Sequence, residues 1–303
     1  ERNVMNKKLS IRTDLALEAA QIYKNKTGYD SDGIEIKNIN QDGFEISFMY
    51  VKTNEGAKKI GKEKGKYVTI QVPGGFYQMP EHDETLIGII CDNLLEMTGD
   101  LTGKKILAAG LGNRAITADC IGPKVVENLL VTRHIHEYMP KSLSGDMGNV
   151  CAISPGVLGI TGIETGEILA GVCEKVKPDA VVLIDALAAK SINRVASTIQ
   201  MCDSAISPGS GVGNRRMALD EKLLGAKVYV IGVPTVVDAY TMICDVTGED
   251  KADVVSSKIV NMTVTPKDID LQAKRMASVI SAALNRAFNP NLDSEQINYL
   301  TNY

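Results

Sequence analysis

Four short apolar segments in the second half of the chain limit its fold most. They are KILAAGLGN from residue 105, NVCAISPG from 149, AVVLID from 180 and KVYVIGVP from 227. None alternates between apolar and polar residues, as a strand with one wet face would. Stretches with helical spacing separate them: residues 123–138, 162–176, a segment after Thr235, and about 267–288. Strands apolar on both sides and joined through helices predict a parallel sheet covered on both faces. Nearer the N-terminus, FEISFMYVKT and YVTIQV do alternate and read as β structure, while DLALEAAQIYKN has helical spacing. The expected class is α/β, a mostly parallel central sheet with helices on both faces, plus a small β-rich N-terminal region at about 34–80. Residues 1–13 are polar and basic, with little periodicity.

The 303 residues are 44% hydrophobic and 23% charged with a formal net charge of −4, enough for a core that needs no disulfide or metal staple. The mild acidity argues against a protein built to coat nucleic acid. No apolar run reaches the length of a membrane span. The six cysteines are scattered without a C-x-x-C pair, which suits a reducing compartment better than a disulfide framework or a zinc site. A soluble, intracellular protein is the expectation. Lys58, Lys59, Lys62, Lys64 and Lys66 form a basic run, read as a solvated face in preference to a docking site for an acidic partner.

In a parallel sheet the binding crevice lies beyond the carboxyl ends of the strands, so the residues after each strand carry the chemistry. Gly110-x-Gly112-x-x-Ala115 formally matches a dinucleotide fingerprint, but Pro123 is expected to delay the following helix. The acid that should hold a ribose has only Glu127 as a stand-in. The run Ser207-Pro-Gly209-Ser210-Gly211-Val-Gly213-Asn214 lacks the Lys-Ser/Thr of a P-loop; it is read equally as a surface turn or as cleft lining. No G-x-S-x-G or H-E-x-x-H pattern occurs, and His134 and His136 fall in or after a helix. Asp119 and Asp185 remain. They follow two different strands of one sheet and can project into one crevice, where paired carboxylates separate in pKa and divide the roles of base and acid. The competing reading of each is a helix cap or loop brace.

SIRTDLALEA, GLGNRAITADCIGPKVVENLLVTRH, SPGVLGITGIET, LIDALAAKSINRVASTIQ, SPGSGVGN, GVPTVVDA and MTVTPKDID together resemble the spore germination proteases of spore-forming Gram-positive bacteria, over most of the chain. The resemblance implies an atypical aspartic endopeptidase that degrades small acid-soluble spore proteins, with Asp119 and Asp185 catalytic. It implies no cofactor or resident metal, a homotetramer, and a place in the cytoplasm of the forespore and spore core, without direct nucleic-acid or membrane binding. It also implies a precursor that removes its own N-terminal segment. Family substrates are cut after Glu in T-E-[FI]-A-S-E, and Thr13-Asp14-Leu15-Ala16-Leu17-Glu18 imitates that pattern. Self-cleavage is therefore expected between Asp14 and Leu15, with 1–14 as propeptide and 15–303 as one peptidase domain. Gly112, Asn113, Gly209, Ser210 and Gly211 are expected to line the cleft. The family also resembles hydrogenase-maturation peptidases, which makes a nickel-type metal enzyme the first alternative; a nucleotide-binding protein is the second.

Overall fold

The computed structural model describes residues 11–78, 83–139, 145–207, 217–248, 259 and 262–301. The strands among them are β1 (Ile34–Gln41), β2 (Phe44–Val51), β3 (Gly65–Gln71), β4 (Lys105–Gly110), β5 (Asn149–Ile153), β6 (Ala180–Ala189), β7 (Thr198–Cys202), β8 (Lys227–Asp238) and β9 (Thr263–Val264). They form one sheet in the order β1-β2-β3-β7-β8-β6-β4-β5, with β9 on the end of β8. The run β8-β6-β4-β5 is parallel. From β8 outward through β7, β3, β2 and β1 every pairing is antiparallel, so the N-terminal β-rich region extends the same sheet. The α/β class expected from the sequence holds.

The helices are α1 (Ala16–Thr27), α2 (Asn54–Ile60), α3 (Gly75–Gln78), α4 (Glu84–Thr98), α5 (Ile121–Glu127), α6 (Arg133–Tyr138), α7 (Leu158–Thr161), α8 (Thr165–Val176), α9 (Glu221–Leu224), α10 (Ala239–Thr247), α11 (Ile269–Phe288) and α12 (Ser294–Thr301). Period-two alternation divides the strands between two cores. Val182, Ile184, Ile106, Ala108, Ile231 and Ile199 pack with α4, α5 and α11 on one face. Val181, Leu183, Leu107, Ala109, Val228 and Val230 pack with α1, α2, α8 and α9 on the other. Each fully buried aliphatic side chain contributes about 1.5–3 kcal/mol, which is why these strands read as unbroken apolar runs. Among the described residues no helix is long and apolar enough to cross a membrane.

Several local expectations are corrected. The single helix expected over 123–138 is two, α5 and α6, and Pro123 does not delay the first. It is the third residue of α5, where its missing N–H has no intrahelical partner to lose. The fourth strand does not end at Pro234 but runs to Asp238, so the helix expected after Thr235 begins at Ala239. Proline inside a central strand is accommodated by a bulge: Leu187 pairs with Pro234 and Ala188 with Val236, which leaves Thr235 as the extra residue. β7 was not foreseen. The basic run is not one solvated face either, since Lys62 turns inward and Lys66 bridges Glu96 at 2.6 Å.

Candidate active site

β4 ends at Gly110, paired with Ile184 of β6, and the Leu111 N–H donates to the Ile184 carbonyl at 2.8 Å. Asp185 is the next residue of β6. It is buried, and its Oδ1 accepts the Ala186 N–H at 3.0 Å. Asp185 therefore lies within a strand, at the level where β4 has ended, and not after the strand as expected. The chain leaving β4 turns through Gly112, whose φ of +110° favours glycine. It then returns in a 3₁₀ turn, Thr117–Asp119, which packs against β6, β8 and α11. Asp185 thus lies inside β6 just beyond the end of β4, and Asp119 lies in the turn that follows β4.

The turn that carries Asp119 is fixed from several sides. Asp119 Oδ2 accepts the Asn113 N–H at 2.8 Å. A Cβ on Gly112 would overlap the Asp119 backbone carbonyl and stand 2.9 Å from its Oδ1. Gly112 and Asn113, expected as cleft lining, lie against Asp119 itself. The bulge residue Thr235, fully buried, donates its hydroxyl to the Ala118 carbonyl at 2.5 Å, and the Thr265 hydroxyl donates to the Thr235 carbonyl at 2.8 Å. Thr235 braces the turn that carries Asp119, a contact the sequence did not reveal; its one signal was the proline before it in an apolar strand. The neighbouring Cys120 is buried, its Sγ lies 3.0 Å from the Thr117 carbonyl, and burial pushes its thiol pKa up, the wrong direction for a thiolate nucleophile.

The glycines that imitate a dinucleotide fingerprint have a packing cause. Gly122, at the start of α5, has its Cβ direction aimed at the Leu111 and Ile184 carbonyls, the latter at 2.5 Å, and Gly110 abuts the Gly122 backbone. The Asn113 N–H, which a phosphate would need, is taken by the Asp119 carboxylate. Gly209, Ser210 and Gly211 lie outside the described residues. Among the described residues, no three His, Cys, Asp or Glu side chains form a group that could hold a metal ion.

Asp14 and Leu15 pack against β6, the strand that carries Asp185. The Asp14 N–H donates to the Ala188 carbonyl at 2.8 Å, and Asp14 Oδ2 accepts the Ala188 N–H at 2.9 Å. Leu15 is fully buried against Leu187 and Ala189. Gln200 of β7 accepts the Ala16 N–H at 2.6 Å, capping the first turn of α1 from the sheet. Glu18 is buried, and its carboxylate accepts the Lys190 and Ser191 N–H groups at 2.6 and 2.9 Å. Residues 12–18 are thus bound to the body of the molecule almost as a separate peptide would be.

The sequence matches the Germination protease family over residues 12–249. A germination protease of Caldanaerobacter subterraneus subsp. tengcongensis is 40% identical, with 96% of this chain and 98% of that protein covered. Those of Clostridium tetani and Priestia megaterium are 39% and 35% identical, covering 97% and 96% of this chain and 100% and 97% of theirs. Among solved structures, the [NiFe] hydrogenase maturation protease HycI from Thermococcus kodakarensis KOD1 aligns with a TM-score of 0.36 at 19% identity, over 63% of this chain and 98% of that one. That likeness is too slight to transfer detail. The chain belongs to the germination protease family and is a peptidase, a hydrolase whose substrate is protein.

Proposed function

We propose that this peptidase is an endopeptidase of small acid-soluble spore proteins, made as a precursor that cuts itself between Asp14 and Leu15 and using Asp119 and Asp185 to activate water. The observation that carries the reading is the seat of the 14–15 peptide bond. The residue before it is hydrogen-bonded to Ala188, three residues along β6 from Asp185. Its sequence, T-D-L-A-L-E, imitates the T-E-[FI]-A-S-E that family substrates carry.

In the proposed reaction one carboxylate of the pair, ionised, takes a proton from water as the water oxygen adds to the carbonyl carbon. The other, kept protonated by its neighbour's charge, hydrogen-bonds the substrate and then protonates the departing amine. Collapse of the tetrahedral alkoxide breaks the C–N bond, and no acyl-enzyme forms. In this reading base and acid are roles of the dyad, not of either residue alone. The reading includes a homotetramer in the forespore and spore core.

The test is incubation of the full chain alone and with a peptide containing T-E-I-A-S-E, with products located by mass spectrometry. Cuts after Asp14 in the chain and after the first Glu of the peptide are expected. Cuts elsewhere, or cutting that EDTA abolishes and nickel restores, contradict the proposal.

A further inference from the structure

The Asp14 carbonyl oxygen is held from two directions. Lys62 Nζ donates to it at 2.8 Å, and also to the Thr13 carbonyl at 3.2 Å. Gln200 Nε2 donates to it at 3.3 Å, the amide being oriented by the Ala16 N–H on its oxygen. Lys62 reaches this place because α2 ends at Gly61 in the left-handed conformation, which turns the chain back toward α1. Its hydrogen-bond acceptors are backbone carbonyls, while the carboxylates of Asp14 and Glu18 supply the surrounding negative charge.

Taking an ammonium out of water costs several kcal/mol, and proteins usually match it with a carboxylate hydrogen-bonded to it. An ammonium aimed at a peptide carbonyl is matched more closely when negative charge develops on that oxygen, as it does when water adds to the carbon. Preorganised donors 2.7–3.1 Å from such an oxygen are among the largest single contributions to acyl-transfer catalysis. The acid stands nearby. Gln200 pairs with Gly232 of β8, and Gly232 pairs with Asp185 of β6, so the three form one rung of the sheet. Alternation puts Asp185 and Gln200 on the same face, two strand spacings or about 10 Å apart, with the Leu187 side chain lying over Gly232 between them.

We propose that Lys62 is a catalytic residue of this peptidase. With Gln200 it holds the carbonyl oxygen of the peptide bond to be cut and stabilises the alkoxide formed there. This rests on the reading that the chain cuts between Asp14 and Leu15. In the step, the water oxygen bonds to the Asp14 carbonyl carbon, the carbonyl π pair moves onto the oxygen facing Lys62, and the water proton passes to the aspartate pair. When the C–N bond breaks, the Leu15 amine takes a proton from the pair, and Lys62 keeps its own throughout. Asp14 then leaves with the segment. Lys62 and Gln200 stay on the fold, on the wall of a cleft of about 840 Å³ also lined by Lys58, Lys59 and Lys64, and present the same two donors to an incoming peptide carbonyl.

The experiment compares full-length wild type with Lys62→Met and Gln200→Glu, which keeps the acceptor for Ala16 and removes the donor to Asp14. Mass spectrometry gives the first-order rate of cutting at 14–15, and hydrogen exchange at the Asp14 N–H reports whether the segment stays docked. Lys62→Met is expected to cut at least 100-fold more slowly and Gln200→Glu at least tenfold, with Asp14 protection changed less than threefold. Cutting within threefold of wild type by Lys62→Met, or rate losses matched by equal losses of Asp14 protection, overturns the proposal; the latter makes Lys62 a tether. Should Lys62→Met fail to fold, the Gln200→Glu rate decides by the same criteria. A wild type that never cuts at 14–15 overturns the processing reading and the Lys62 assignment together, whereas a wild type that cuts beside an unimpaired Lys62→Met overturns the Lys62 assignment alone.

Discussion

Asp14 and Ala188 exchange two hydrogen bonds, the Asp14 N–H to the Ala188 carbonyl at 2.8 Å and the Ala188 N–H to the Asp14 carboxylate at 2.9 Å. One residue near the N-terminus is thus tied to a central strand 174 positions away. The contact aligns the whole segment: it seats Leu15 on Leu187, the Ala16 N–H on Gln200, and the Glu18 carboxylate on the turn after β6.

The anchoring has a measurable strength. Leu15 is fully buried, and Leu15→Ala leaves a cavity against Leu187 and Ala189. The expected loss in the uncut chain is about 2–4 kcal/mol, read from denaturant unfolding as a lower midpoint with an unchanged slope.

Thr235 tests whether the turn holding Asp119 must be fixed. Thr235→Val keeps the shape but leaves the Ala118 carbonyl without its hydroxyl donor, which costs about 1–3 kcal/mol. Peptidase kcat is expected to fall while KM holds, and Thr235→Ser is expected to restore it. Equal kcat in all three would show that Asp119 needs no such support.

Two glycines should differ in sign. Gly122→Ala drives a methyl group into the Leu111 and Ile184 carbonyls, backbone that cannot yield, and is expected to cost more than about 4 kcal/mol or prevent folding. Gly88, within α4, has nothing within 4 Å of its Cβ position. Gly88→Ala is expected to gain about 0.5–1 kcal/mol. Thermal unfolding separates them.

The parallel half of the sheet was legible because β4, β6 and β8 are buried on both faces, so their apolar runs carry the topology. The position of Asp185 was less legible, since the length of β6 beyond the end of β4 depends on its pairing with β8. β7 was not legible. Thr198–Cys202 is short, follows a polar stretch, and becomes a strand only because β3 and β8, distant in sequence, flank it. Thr235 was hidden because a bulge is a property of two strands in register. Lys62 was misread because a sequence shows its charge among lysines and a glutamate, not the two carbonyls that α1's approach brings to it.

Lys62 also has a pH signature. Burial pulls its pKa below 10.5, against the raising influence of the Asp14 and Glu18 carboxylates. Between the folded and unfolded pKa values the unfolded chain binds more protons, so stability rises with pH across that window; below it, the buried charge is a constant cost. Catalysis needs the protonated form and moves the other way. Self-cutting by wild type is expected to decline on the alkaline side below the ordinary lysine range, while its stability relative to Lys62→Met improves. A cutting rate flat up to pH 10.5 would contradict this.

The most direct measurement is the rate of cutting at 14–15 in full-length chains carrying Asp119→Asn or Asp185→Asn, each shown to be folded by its thermal transition. The account predicts that either substitution lowers the rate at least 1,000-fold, about 4 kcal/mol of transition-state stabilisation, and that the double variant is scarcely slower than the singles because the two acids act as one unit. Cutting at the wild-type rate by either folded single variant would contradict it.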